Sequence, residues 1–128
     1  MMRAMSTPTI TVYGIANCDT VKKARAWLGE RAIAYTFHDF KKQGLDASLL
    51  AQWLDRADWQ QLLNRRGTTW RRLDAAEQAS ACDAASAASL MLRHPSLIKR
   101  PVVEWCDAIT VGFSPQDWSE RLAARSAA

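Results

Sequence analysis

The sequence predicts an α/β domain built on a four-stranded mixed sheet. Three observations lead there. A β-α-β pattern occupies Thr9 to His38, the middle third is helical, and two short strands followed by a helix close the chain. With 128 residues and 48% apolar content, the chain has the size and the core-forming material of one domain.

Thr9 to Tyr13 (TITVY) is β-branched and aromatic with period-two alternation, which predicts a strand. Gly14 to Asn17 is a short connection. From Cys18 or Asp19 the pattern turns helical: Val21, Ala24 and Leu28 share a face, and Gly29 supplies a stop signal. Ala34 to His38 alternates again, with Tyr35 and Phe37 on one side. Strand, helix and strand within about thirty residues predict parallel strands joined by a right-handed crossover.

Leu49, Leu50, Trp53, Leu54 and Ala57 repeat at 0, 1, 4, 5 and 8, the stripe of an amphipathic helix, and Asp46 is placed to cap its N-terminus. Asp58 to Leu63 reads as a short turn into the basic segment Asn64 to Asp74 (NRRGTTWRRLD). The alanine-dense run Ala75 to Leu92 predicts one helix, because alanine has the highest helix propensity. His94-Pro95 ends it.

Pro101 precedes a strand over Val102 to Trp105. A turn at Cys106 to Ala108 leads to a second strand over Ile109 to Gly112, so the pair reads as an antiparallel hairpin. Ser114-Pro115-Gln116-Asp117 carries the signals of a helix start: serine at N-cap, proline at N1, an acid at N3. Phe113 and Trp118 occupy the two positions of a hydrophobic staple around it. The order β-α-β, helical insert, β-β-α is that of thioredoxin-like folds, with helices on both faces of the sheet. The organisation expected is a flexible lead over 1–8, the domain over 9–123 with its insert at about 44–94, and a frayed end over 124–128.

The composition excludes several classes. No stretch approaches the ~18 continuous apolar residues of a membrane span, so no membrane association is expected. The opening residues MMRAMSTP hold no apolar run of the secretory type, which points to the cytoplasm. Net charge is +4, but 12 of the 17 cations are arginine, the side chain best suited to grip an oxyanion with two hydrogen bonds.

The three cysteines, Cys18, Cys82 and Cys106, are widely spaced with no CxxC pair, so neither a disulfide framework nor a cysteine zinc site is expected. Cys18 differs from the others because it opens a helix after a strand. Unpaired N–H groups and about half a positive charge at a helix N-terminus stabilise a thiolate. Lys22 and Lys23 add positive potential one turn later. A phosphatase-type loop, C-x5-R, would need arginine at Ala24. A thioredoxin-type dithiol would need cysteine at Val21. Any redox cycle at Cys18 therefore draws its second thiol from elsewhere. Cys82, inside the alanine helix, and Cys106, in the hairpin turn, lack basic neighbours and are expected to be structural.

In a thioredoxin-like fold, a proline at the start of the third strand is cis and faces the reactive cysteine. That places Pro101, and with it Arg100, near the sulfur of Cys18. Four of the twelve arginines, Arg65, Arg66, Arg71 and Arg72, lie within eight residues. They can form a solvated face, or send one anion-binding side chain toward Cys18. A nucleic-acid patch is disfavoured by the modest net charge and the lack of an aromatic stacking platform.

The segments ITVYGIANCDTVKKARAWL (Ile10 to Leu28), LLNRRGTTWRRL (Leu62 to Leu73) and LIKRPVV (Leu97 to Val103), in this order, resemble the ArsC/Spx family and within it the YffB branch. The resemblance covers about residues 9 to 123. It implies a thioredoxin-like fold and arsenate reductase-like chemistry, in which a single cysteine attacks the substrate and glutathione with glutaredoxin reduces the adduct. Cys18 and Arg100 match the family's nucleophile and oxyanion-binding arginine, and Arg65 or Arg66 falls near its insert arginine. Asn17, Lys22 and Pro101 complete the expected anion-binding set. Three positions depart from the arsenate reductases. Gly14 stands four before the cysteine where they have histidine, Val21 three after it where they have serine, and Val111-Gly112-Phe113 where they carry a third arginine. The resemblance therefore implies a glutathione-linked thiol oxidoreductase, with arsenate reduction and an Spx-like regulator that binds RNA polymerase as alternatives. No metal or tightly held cofactor is expected, and the chain is expected to be a monomer.

Overall fold

The computed structural model describes residues 10–105 and 108–127. Its strands are β1 (Thr11–Gly14), β2 (Thr36–Asp39), β3 (Val102–Glu104) and β4 (Ile109–Val111). They form one sheet in the order β2-β1-β3-β4. β1 and β2 are parallel, with Val12 opposite Phe37, while β1–β3 and β3–β4 are antiparallel. The β-α-β unit and the hairpin are both present, and the architecture is thioredoxin-like.

Alternation along the strands feeds two cores. Val12 and Val103 point to one face with Ile10, Trp105, and Ala24, Trp27 and Leu28 of α1 (Asp19–Glu30), all buried. Trp118, fully buried, seals this face from the last helix, Pro115–Ala127, which runs past the Ala123 boundary where fraying was expected. The staple forms: the Phe113 and Trp118 rings meet edge-to-face at 4.8 Å, and Ser114 Oγ accepts from the Asp117 N–H at 3.3 Å.

Tyr13 and Val102 point to the other face, which the insert covers. The insert comprises α2 (Ala47–Arg56), α3 (Trp59–Leu62), α4 (Thr68–Arg72), α5 (Ala75–Ser80) and α6 (Ala84–Arg93), and a 3-10 turn at Pro95–Leu97 follows. Closing the sequence from α1 to the end, the last helix is α7. Asp46 caps α2 by accepting from the Ser48 N–H at 3.2 Å. Leu50 and Trp53, fully buried, anchor α2 on the sheet. Across this face the Trp53 indole donates to Glu104 at 3.1 Å.

Four local expectations are corrected. The segment 58–63 is not a plain turn: Asp58 caps the short α3, accepting from the Gln60 N–H at 3.1 Å. The alanine run is not one helix but α5 and α6, broken at Cys82-Asp83. Asp83 and Ser86 form a capping box, and an aspartate that satisfies main-chain N–H groups locally starts a new helix in preference to continuing the old one. Cys82, expected to be structural inside one helix, is instead exposed in that break, its sulfur 3.8 Å from Ser86 Oγ. Gly29 does not end α1; the helix reaches Glu30, and the left-handed residue beyond it is Ala32, at φ 56°. The lead 1–8, Thr9 of the first predicted strand, Cys106 and Asp107 of the predicted hairpin turn, and Ala128 lie outside the described residues.

Candidate active site

The site starts where β1 stops. Gly14 ends the strand, and the Cβ of any larger residue there would sit 2.7 Å from Val21 Cγ2 in the first turn of α1. The close approach of strand and helix requires glycine at this position. The chain then turns through Ile15, Ala16 and Asn17, with the Cys18 N–H bonded to the Ile15 carbonyl at 3.1 Å. Cys18 is the N-cap of α1, in extended conformation (φ −87°, ψ 127°), and its carbonyl accepts from the Lys22 N–H at 2.9 Å.

A buried acid holds this loop. Asp39, at the end of β2, is 6% exposed and accepts from the N–H groups of Ala16 (3.1 Å), Lys41 (2.9 Å) and Lys42 (3.3 Å). Burial alone would raise its carboxyl pKa. The Ala16, Lys41 and Lys42 amides and the Lys42 charge outweigh burial and hold it below the ordinary range. Asp39 ties the loop before Cys18 to the loop that carries Lys41.

The Cys18 thiol is half-buried. Burial pushes its pKa up, but the Val21 amide, the adjacent Arg100 guanidinium and the Thr20 amide together bring it below the ordinary thiol value. The sulfur makes no capping hydrogen bond. It lies close enough to the first-turn amides for their dipoles to favour the anion. Arg100 comes from the segment before β3. Its Nη1 donates to the Ser96 carbonyl at 3.0 Å, and its Nε is buried without a partner. The Arg100–Pro101 peptide is cis, as the fold led us to expect, and Pro101 is buried.

Cys18, Arg100 and Asn17 line one pocket of about 250 Å³ together with Lys41, Asn64, Ser96 and the start of α4, Gly67 to Trp70. Of the sequence-predicted site residues, this pocket unites Cys18, Arg100 and Asn17. It does not include Lys22, which stands exposed on α1. Nor does it include Arg65 or Arg66, which line a separate, larger groove. The reason is local. Asn64 Oδ1 accepts from the Arg66 N–H at 3.0 Å and turns the chain, and the Arg65 guanidinium lies over the rings of Trp59 (5.5 Å) and Trp70 (5.8 Å). The cation that joins Arg100 in the pocket is Lys41. The sequence reading missed Lys41 and Asp39, since neither lies near Cys18 in sequence. The only signal was an acid directly beyond a predicted strand.

Among the described residues no helix is long and apolar enough to cross a membrane. A family model described as the ArsC family matches residues 13–121. The chain is similar to several solved structures, two of them at about half identity. The YFFB (PA3664) protein is 49% identical, with a TM-score of 0.83, covering 88% of this chain and 97% of that one. An arsenate reductase (ArsC) related protein from Brucella melitensis is 50% identical, with a TM-score of 0.72, covering 91% and 97%. A more distant relative, the global transcriptional regulator Spx of Streptococcus agalactiae, is 24% identical over 110 residues, which are 84% of this chain and 79% of the relative. With the matched segment running from the end of β1 into α7 and taking in Cys18, the insert and Arg100, the chain belongs to the ArsC family.

Proposed function

We propose that the protein is a glutathione-linked thiol oxidoreductase with Cys18 as its nucleophile, working in the reducing cytoplasm. The observation that carries this reading is the shared pocket. A cysteine with a lowered pKa at a helix N-terminus faces a space that also holds Arg100 and Lys41. A thiolate is the attacking species in exchange, and the two cations suit a substrate that brings carboxylates, as glutathione does. The buried, unpartnered Nε of Arg100 is a donor that a bound anion would satisfy.

The cycle has two exchanges. The Cys18 thiolate attacks the glutathionyl sulfur of a mixed disulfide. A Cys18–glutathione disulfide forms, the substrate's S–S bond breaks, and the substrate leaves as a thiolate that takes a proton from water. The thiolate of a second glutathione, or of a glutaredoxin-type donor, then attacks the bound glutathionyl sulfur. This releases a disulfide and returns Cys18 as a thiolate. Val21 at the i+3 position makes an external thiol necessary for the second step.

Arsenate fits the pocket less well. Neither Arg65 nor Arg66 reaches it, and the end of the hairpin offers Val111, Gly112 and Phe113 in place of an arginine. The test is reduction of a mixed disulfide of glutathione and mercaptoethanol, run beside arsenate with glutaredoxin. Glutathione-dependent turnover that disappears in Cys18→Ser supports the proposal. A rate equal to that of glutathione alone, or turnover with arsenate only, overturns it.

A further inference from the structure

A second concave surface lies outside the Cys18 pocket. It is a groove of about 860 Å³, lined by the cations Arg56, Arg65, Arg66 and Lys99 and by Ile109, Thr110 and Val111 of β4. None of these four cations forms an ion pair with a described residue; the ion pairs present join Arg31 to Glu30, His94 to Glu77 and Arg121 to Asp117. Two acids also border the groove and both are engaged: Asp58 caps α3, and Asp117 holds Arg121 at 3.0 Å.

Among the described residues β4 is an edge strand with no neighbour on its outer side, and the groove runs along that edge. Ile109 and Val111 pack toward the insert-side core, while Thr110 turns the other way and accepts from the Trp105 indole at 2.9 Å. Three consecutive residues that alternate in face can all line one groove only where it borders the strand's edge. The walls agree, since Arg56 comes from the insert on one face and Asp117 from α7 on the other.

The hydrogen-bond register shows which main-chain groups are open. Thr110 pairs with Val103, the Trp105 N–H bonds to the Ala108 carbonyl at 2.8 Å, and the Gly112 N–H bonds to the Pro101 carbonyl at 2.8 Å. In an antiparallel ladder alternate residues face the partner strand. Ala108, Thr110 and Gly112 therefore face β3, and the N–H and C=O groups of Ile109 and Val111 point into the groove.

We propose that this groove is an interaction surface that takes an extended acidic peptide segment of a partner protein. The segment adds as a fifth strand along β4, its main chain bonding to Ile109 and Val111 and its carboxylates meeting Arg56, Arg65, Arg66 and Lys99. Cations beside an open edge repel a second copy of this net-positive chain and attract an acidic strand. Asp58 and Asp117 disfavour a continuous phosphate backbone, whereas a peptide can offer them N–H donors. Asn64 lines both this groove and the Cys18 pocket, so a segment bound here lies beside the thiol, but binding does not depend on Cys18.

The test is fluorescence anisotropy of a short labelled peptide of alternating glutamate and valine, titrated with the full chain. Binding should weaken about tenfold in the Arg56→Gln/Lys99→Gln variant. It should also weaken when salt rises from about 0.01 M to 0.15 M, which shortens the Debye length from about 30 Å to 8 Å. It should be lost when alternate peptide nitrogens are methylated, and weakened in Val111→Pro, which removes an outward N–H. Cys18→Ser should bind as the parent does, which separates this proposal from the reading of the thiol. Equal affinity for the methylated peptide overturns strand addition. Tighter binding of a single-stranded oligonucleotide of the same charge overturns the acidic-peptide assignment.

Discussion

Replacing Gly14 by alanine tests how the Cys18 loop is built. A Cβ at this position would stand 2.7 Å from Val21 Cγ2 and 3.3 Å from Cγ1. Optimal carbon contacts are about 3.5–4.0 Å, so roughly an ångström of overlap must be relieved. Val21 cannot give way easily: it is fully buried, lies in the first turn of α1, and as a β-branched helical residue has one strongly preferred rotamer. Overpacking of this kind costs about 1–3 kcal/mol, while loss of glycine entropy in the unfolded chain returns about 0.4–1 kcal/mol. Gly14→Ala should thus be destabilised by about 1.3 kcal/mol, the midpoint of a range from about 0 to 2.6 kcal/mol. Val21→Ala removes two methyls and leaves a cavity, costing about 1–3 kcal/mol. Together the changes should cost less than their sum by about 1 kcal/mol or more, because the new Cβ fills part of the vacated space. Urea unfolding followed by tryptophan fluorescence measures all three variants. Additive effects within about 0.5 kcal/mol would refute the contact between position 14 and Val21.

Asp39→Asn should destabilise the protein at neutral pH by about 1–3 kcal/mol, since three main-chain donors lose a charged acceptor. The Asp39 carboxyl is depressed, so its contribution is fully present above the unfolded value of about 3.9 and is lost as pH falls through the folded value. The gap between the parent and Asp39→Asn in urea unfolding should therefore close below about pH 4, and a gap independent of pH rejects the clamp. Arg100→Ala should raise the Cys18 pKa, because it removes a positive charge that favours the thiolate. Iodoacetamide alkylation against pH should shift to the alkaline side, with Arg100→Lys falling between the two. Unchanged profiles in both variants exclude Arg100 as a partner of the sulfur.

Most of the fold was legible in the sequence because its signals are local. Val12 and Tyr13 alternate along β1, Leu50 and Trp53 mark the stripe of α2, and Ser114 with Phe113 and Trp118 marks the start of α7. Signals also failed where two local rules competed. Alanine propensity argued for one helix over 75–92, but Asp83 and Ser86 satisfy each other and begin a new one. That break is why Cys82 is exposed.

The sequence by itself determined that one cysteine, Cys18, caps a helix after the first strand, and that Arg100 stands before a proline that opens the third strand. Both follow from position within a β-α-β frame, where neighbours in sequence remain neighbours in space. Tertiary structure alone decided which cations serve the thiol. Arginine density pointed at Arg65 and Arg66, but an Asx turn at Asn64 and two tryptophan rings direct them to the β4 groove. Lys41 and Asp39 take part because β2 lies parallel to β1 and ends beside the Cys18 loop, Gly14 pairing with Asp39 across twenty-five residues of chain. A charge's distance from a sulfur is set by strand order and register, and neither is written in the residues around that charge.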